Sequence, residues 1–149
     1  MTGSAYFMVN QQLARLLGET YRSSEVALKE LVDNAWDADA RNVWISLSEP
    51  LSKNPLTIKD DGRGMTEEAV RAEYLNIASD KRKRTGELSP NFKRKIKGRK
   101  GIGKFAGLAV AQVMTIETTV NGMTSKLMID KKRSRTLIVI SKKSHWILR

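Results

Sequence analysis

The sequence predicts a single domain of interleaved helices and strands, α/β or α+β, and three observations carry that reading. The chain has 149 residues, 40% of them hydrophobic, which is enough for one ordinary core. Apolar residues recur at helical spacing in separate stretches and with a period of two in several short ones. Two alternating runs, "VMTIETTV" and "MTSKLMID", flank Asn121-Gly122, a dipeptide suited to a tight primed turn, and so predict a hairpin.

Taken in order, "MVNQQLARLL" (8–17) has the pattern of a short helix, and 18–22 reads as a break. Ser23 or Ser24 is the expected N-cap of a long helix reaching about Ala40. In "VWISLS" (43–48), Val43, Ile45 and Leu47 alternate with Trp44, Ser46 and Ser48, as in a half-buried strand. A loop with Pro50 and Pro55 leads to "LTIKDDGRGM", where Leu56, Ile58 and Asp60 share one strand face. Asp60 is thereby expected to point inward and to need a partner, because an unpaired buried charge costs several kcal/mol or takes up a proton.

Thr66 is placed to cap the next helix, with Glu67 and Glu68 in the first turn where the helix dipole favours anions. That helix should run to about Ala78, with Val70, Tyr74 and Ile77 on one side. From Ser79 to Lys100 the periodicity vanishes into a basic stretch expected to be a long mobile loop. "GIGKFAGLAVAQVM" then reads as a glycine turn followed by an apolar helix, and "TLIVIS" as a last strand after the hairpin. No internal repeat is visible.

Composition removes several function classes. Without cysteine there is neither a disulfide framework nor a thiolate metal site, and one histidine makes a histidine-rich site equally untenable, so any metal must rely on oxygen ligands. No run approaches the roughly 18 apolar residues of a membrane helix, and the first ten residues lack the pattern of a signal peptide. A cytoplasmic or nuclear protein without a membrane partner is expected. The net charge of +11 is regional: Lys81–Lys104 holds eleven basic residues and one acid, and Lys131–Arg149 seven basic residues and no acid. Such segments suit DNA or RNA, the phosphates of a nucleotide, or plain solvation.

Candidate chemistry begins on the first long helix. In "ELVDNAWDADA" (30–40), Glu30, Asn34 and Asp37 fall at i, i+4 and i+7, on one narrow stripe. An Asn carbonyl suits Mg²⁺, and a carboxylate one turn away can accept a proton from an attacking water. A partly exposed helix face would carry similar residues. Two glycine clusters change the balance: "DDGRGM" places Gly62 and Gly64 after Asp60, and "GRKGIGKFAG" places Gly98, Gly101 and Gly103 before a helix start. Glycine permits positive φ and close backbone approach, and a helix N-terminus offers free N–H groups to phosphate.

Two look-alikes fail. Residues 98–104 spell G-x-x-x-x-G-K, but Phe105 stands where a P-loop needs a Ser or Thr hydroxyl for Mg²⁺. Gly101, Gly103 and Ala106 fit a dinucleotide fingerprint, but "NFKRKIK" is a poor buried strand.

The order of motifs resembles the GHKL ATPase superfamily: gyrase B, the heat-shock chaperones of the ninety-kilodalton class, histidine kinases and MutL. "ELVDNAWDADA" is similar to its E-x-x-x-N-A-x-D-A motif, "DDGRGM" to D-x-G-x-G, and "GRKGIGK" to G-x-x-G-x-G. "YLNIASDKR", with Ser79 and Lys81, resembles the Ser-x-Lys stretch that opens the nucleotide lid. The resemblance implies the Bergerat fold, an α+β two-layer sandwich with a mixed sheet packed against helices and a lid at about 79–100. It also implies ATP and Mg²⁺ as ligands. Glu30 would be the general base, Asn34 the Mg²⁺ ligand, and Asp37 a support for the polar network. Asp60 would accept the adenine amino group, Gly62 and Gly64 would let the backbone approach the base, and Met65 would pack nearby. Gly98, Gly101, Ile102 and Gly103 would form the phosphate loop, to which Lys104 or a lid lysine such as Lys81 adds charge.

Glu30 and the N-A-x-D-A ending resemble the hydrolysing branches, since histidine kinases usually lack that glutamate, and His145 fits no phosphoacceptor hairpin. The stretch "LLGETYRSSEVALKELVDNAWDADA" (16–40) resembles the MORC-type and related ATP-binding proteins. At 131–149 the pattern is atypical. Thr136 stands where a Gly-Thr pair is implied, Arg135 replaces the glycine, and no transducer pattern is expected within these 149 residues. The expected behaviour is Mg-ATP binding with slow turnover and an ATP-dependent homodimer as the switch. The alternative is a nucleic-acid-binding module using the basic segments, with few aromatics there to stack bases.

Overall fold

The computed structural model of the chain describes residues 11–75, 86–98, 101–131 and 135–142. Helix α1 (Gln11–Thr20) buries Leu17 and extends into the first part of the expected break at 18–22. Gly18 lies inside it with open space where a Cβ would sit, so its cost is only the propensity loss of about 1 kcal/mol. The break falls instead at 21–23. Helix α2 (Ser24–Asp37) starts from Ser23, whose hydroxyl accepts the Val26 N–H.

Helix α2 stops earlier than the sequence suggests, through backbone geometry. Asp39 takes a left-handed φ of 62°, its N–H donates to the Trp36 carbonyl, and the Ala40 N–H reaches back to the Ala35 carbonyl. This is a Schellman closure with Asp in the position that usually takes glycine.

Strands β1 (Val43–Ser46) and β2 (Thr57–Asp60) pair antiparallel, with Ile45 opposite Ile58 and Val43 opposite Asp60. The grouping of Ile58 with Asp60 therefore holds, but the face is not a core face. Ile45 is 46% exposed, Leu47 70%, and Asp60 is exposed as well. The penalty for a buried charge at Asp60 does not arise.

Helix α3 (Glu67–Leu75) follows Thr66, whose hydroxyl accepts the Ala69 N–H, and turns Val70 and Tyr74 into the core. Ile77 lies outside the described residues. The expected apolar helix after the glycine turn is shorter than predicted: a 3-10 turn (Gly103–Phe105) and one helical turn, α4 (Gly107–Val110). Phe105, Ala106 and Leu108 are all buried there, and Ala111 turns extended to start the next strand.

Strands β3 (Val113–Val120), β4 (Met123–Asp130) and β5 (Arg135–Lys142) form an antiparallel meander. The β3–β4 turn is the predicted one, with Asn121 and Gly122 both at positive φ between paired Val120 and Met123. On β4, Ser125, Leu127 and Ile129 are buried while their neighbours are not. Leu127 and Ile129 join Leu17, Tyr21, Ala27, Val70, Tyr74, Phe105, Ala106 and Leu108 in one core, with the Tyr74 and Phe105 rings edge to face at 5.6 Å.

The implied single mixed sheet is not what the described strands form. They make two separate sheets, every pairing antiparallel, and the helices bury their apolar sides against the β3–β4 face, leaving β1–β2 poorly covered. Helices together with small antiparallel sheets make the fold α+β. Among the described residues, no helix is long and apolar enough to cross a membrane.

Candidate functional site

One turn of backbone meets one carboxylate. A Cβ built on Gly103 would lie 2.6 Å from Glu30 Oε2 and 3.8 Å from Asn34 Oδ1, so the bare glycine lets the loop lie against the carboxylate, and any larger residue would have to push the Glu30 side chain aside. Gly101, two residues earlier, takes a φ of 67°. Helix α2 and this loop wall a cavity of about 220 Å³ that gathers Glu30, Asn34, Gly98, Gly101, Ile102, Gly103 and Lys104. Residues far apart in sequence thus meet as the motif order implies.

Four further residues line the cavity that sequence reasoning did not single out: Thr20, Tyr21, Glu73 and Lys97. Lys97 carried a visible signal, since it directly precedes Gly98. The others sit at helix ends or in α3 with no motif around them. Burial, and then the negative charge of Glu30, pushes the Tyr21 hydroxyl up to about 12, so it stays protonated at neutral pH.

Lys104 lines the cavity and is held from α3. It is 9% exposed, its ammonium donates to the Glu73 carbonyl, and the Glu73 carboxylate is 3.9 Å away. Burial beside Phe105 holds it against α3.

Asp37 lies under the site, with 2% exposure. Its carboxylate accepts the N–H groups of Lys97 at 2.9 Å and Gly98 at 3.1 Å, and so fixes the start of the glycine segment. The second glycine cluster serves close packing within the protein. Asp60 Oδ1 accepts the Gly62 N–H at 2.8 Å, and a Cβ on Gly62 would collide with Asp60 and the Ala38 carbonyl. Gly64 has a φ of 68° and leaves room for the Thr119 carbonyl. Met65 packs against the core and donates its N–H to Thr118 Oγ1 at 2.9 Å. Thr136 pairs with Ile129 across β4–β5. Ser79 and Lys81 lie outside the described residues. The cavity therefore gathers Glu30, Asn34 and the phosphate-loop candidates but not Asp37, Asp60, Gly62, Gly64 or Met65.

Residues 86–98 correct the expectation of a long mobile loop. The segment folds back on itself through the Leu88–Lys95 bridge and is tied to the end of α2 by three aspartates. Asp39 accepts from Asn91 and Phe92 N–H, Asp37 from Lys97 and Gly98 N–H, and Asp33 from the Lys97 ammonium at 2.9 Å. Burial opposes the charge on Asp33, but the Lys29 and Lys97 ammonium groups outweigh it and hold the carboxyl below its usual range. Burial likewise works against Asp39, and hydrogen bonds from Ser89, Asn91 and Phe92 hold its carboxyl low as well. Arg94 lies 4.5 Å from the Trp36 ring centre and 4.7 Å from that of Phe92, with Lys97 and Arg41 also over these rings.

Chemically, the cavity offers oxygen donors from Glu30 and Asn34 facing a glycine backbone. Among the described residues, no cluster of three or more His, Asp or Glu side chains stands ready for a metal. That donor set fits Mg²⁺, which takes one or two protein oxygens and completes its shell with water and phosphate.

Comparison with known proteins agrees with this arrangement. The profile described as histidine kinase-, DNA gyrase B-, and HSP90-like ATPase matches residues 21–147. HgiDII of Herpetosiphon aurantiacus, which carries a type II restriction enzyme name, is 32% identical over 102 residues, covering 68% of this chain and 16% of its own length. The DNA mismatch repair protein MutL of Bacteroides fragilis is 32% identical over 96 residues, covering 64% of this chain and 15% of MutL. The chaperone protein HtpG of Vibrio vulnificus is 28% identical over 144 residues, covering 78% of this chain and 22% of HtpG. The chain thus spans between 15% and 22% of the length of these relatives. With a glycine loop seated against Glu30 and Asn34 and a profile match over most of its length, the chain belongs to the histidine kinase-, DNA gyrase B- and HSP90-like ATPases, the GHKL superfamily.

Proposed function

We propose that the chain binds Mg-ATP and hydrolyses it slowly. The observation that carries this reading is the juxtaposition of Gly103 with Glu30 and Asn34 in one cavity. Backbone N–H groups of the loop 101–103 hold the phosphates, and Asn34 ligates the Mg²⁺ that travels with the nucleotide. Mg²⁺ neutralises phosphate charge. Glu30 accepts the proton of the attacking water, and Asp37 holds the loop from beneath.

The cavity, at about 220 Å³, falls below the roughly 300 Å³ at which ligand pockets usually begin, so it suits the phosphate end alone. The adenine end reaches toward Asp60, whose Oδ1 is oriented by the Gly62 N–H. The fold that goes with this reading is the Bergerat sandwich, with the nucleotide between α2 and a lid at about 79–100. Slow turnover has a physical reason. Lys104 is engaged by Glu73 and Lys97 by Asp33, so no cation among these stands pre-aimed at the charge that develops on the transferring phosphoryl group.

Self-association on binding ATP makes the molecule a conformational switch. The nucleic-acid alternative draws little support from Trp36 and Phe92, whose rings already carry Arg94, Lys97 and Arg41. Phosphate release by wild type and Glu30→Gln tests the enzymatic part. The variant is expected to lose about a hundredfold or more of the rate while still binding ATP. Equal rates in the two proteins would exclude Glu30 as the base.

A further inference from the structure

Among the described residues, two lysines line the cavity, and they are held differently. Lys104 is 9% exposed and bound to Glu73. The Lys97 side chain is 48% exposed and reaches sideways to Asp33 Oδ1 at 2.9 Å, with its ammonium 5.0 Å from the Trp36 ring centre. Asp33 is 7% exposed and would be costly to strand as a lone buried charge. It is not stranded if Lys97 leaves, because Lys29, one turn earlier on α2, pairs with its other oxygen at 2.5 Å. The Lys97 backbone, meanwhile, is fixed by Asp37, so the side chain can swing while its root stays in place.

Resting on the Mg-ATP reading, we infer that Lys97 is a phosphate-binding lysine held in reserve. Its ammonium exchanges Asp33 and Trp36 for the phosphate tail of the nucleotide, and Lys29 keeps Asp33 paired while it does. Asp33 is then a competitor of the ligand as well as a scaffold. The three roles differ: Lys97 touches the ligand, Lys29 compensates charge, and Asp33 sets how readily Lys97 is released. An ammonium that must leave one carboxylate for another anion adds less affinity than a free one, so removing the competitor should tighten binding.

The test is an ATP titration at fixed Mg²⁺ of wild type, Lys97→Met, Lys97→Arg and Asp33→Asn, each with its thermal midpoint recorded. Lys97→Met is expected to weaken ATP binding about tenfold, Lys97→Arg to restore most of the loss, and Asp33→Asn to tighten binding severalfold. Lys97→Met binding within twofold of wild type, or Lys97→Arg binding no better than Lys97→Met, would overturn the inference and leave the ATP reading standing. So would weaker binding by an Asp33→Asn protein that melts like wild type. If Asp33→Asn melts lower, the two half-exposed Lys97 variants decide alone. Wild type that does not bind ATP removes both readings together.

Discussion

Gly64 and Gly18 show how differently one residue type can be constrained. Gly64 combines a φ of 68° with a Cβ position 2.6 Å from the Thr119 carbonyl, and backbone cannot step aside as a side chain can. Gly64→Ala is expected to destabilise the fold by about 1–3 kcal/mol, through left-handed strain and overpacking. Gly18 is helical with open space around it, and Gly18→Ala should stabilise by about 0.4–1 kcal/mol. Urea midpoints of the two variants check the pair of opposite signs. Sequence spacing singled out Gly62, Gly64, Gly101 and Gly103 but not what each one makes room for. Gly103 admits a carboxylate, whereas Gly64 admits a neighbouring strand, and that distinction depends on which element lies across the gap.

At the scale of elements, the segment 86–98 shows most clearly what periodicity leaves unread. Its charge run reads as solvated loop because nothing in it alternates, yet its N–H groups find acceptors on α2 and on the turn that ends it. The acceptors were visible as Asp33, Asp37 and Asp39, but their partners lie more than fifty residues away. Local reading caught the Ser23 and Thr66 caps and the Asn121-Gly122 turn, where donor and acceptor are neighbours.

The anchors also predict a response to pH. Asp33 and Asp39 are held below their usual range, so the stability they contribute is present above the unfolded value of about 4 and is lost as pH falls through the lower folded value. In Asp39→Asn one of the two accepted backbone bonds goes. The variant should melt below wild type at neutral pH, and the two curves should converge in acid. Parallel curves from about pH 6 down to pH 3 would show that the charge on Asp39 is not what holds the segment.

Across the whole molecule, the sequence located the hairpin meander and the helices, because each carries its own period. It did not foresee two separate antiparallel sheets, or that Ile45 and Leu47 stay exposed, because burial is set by what packs on a strand and not by its alternation. The site survives these differences. Glu30, Asn34 and the glycine loop depend on α2 and on the 3-10 turn, and both are fixed by the core that Phe105, Leu108 and Ala27 share.

The most direct measurement is calorimetric titration of wild type and Asn34→Ala with ATP, each with and without Mg²⁺. Saturable binding by wild type that Mg²⁺ strengthens, and that in Asn34→Ala no longer responds to Mg²⁺, is the predicted result. Absence of binding, or a Mg²⁺ response unchanged by Asn34→Ala, would contradict the central claim that α2 and the glycine loop form a Mg-ATP site.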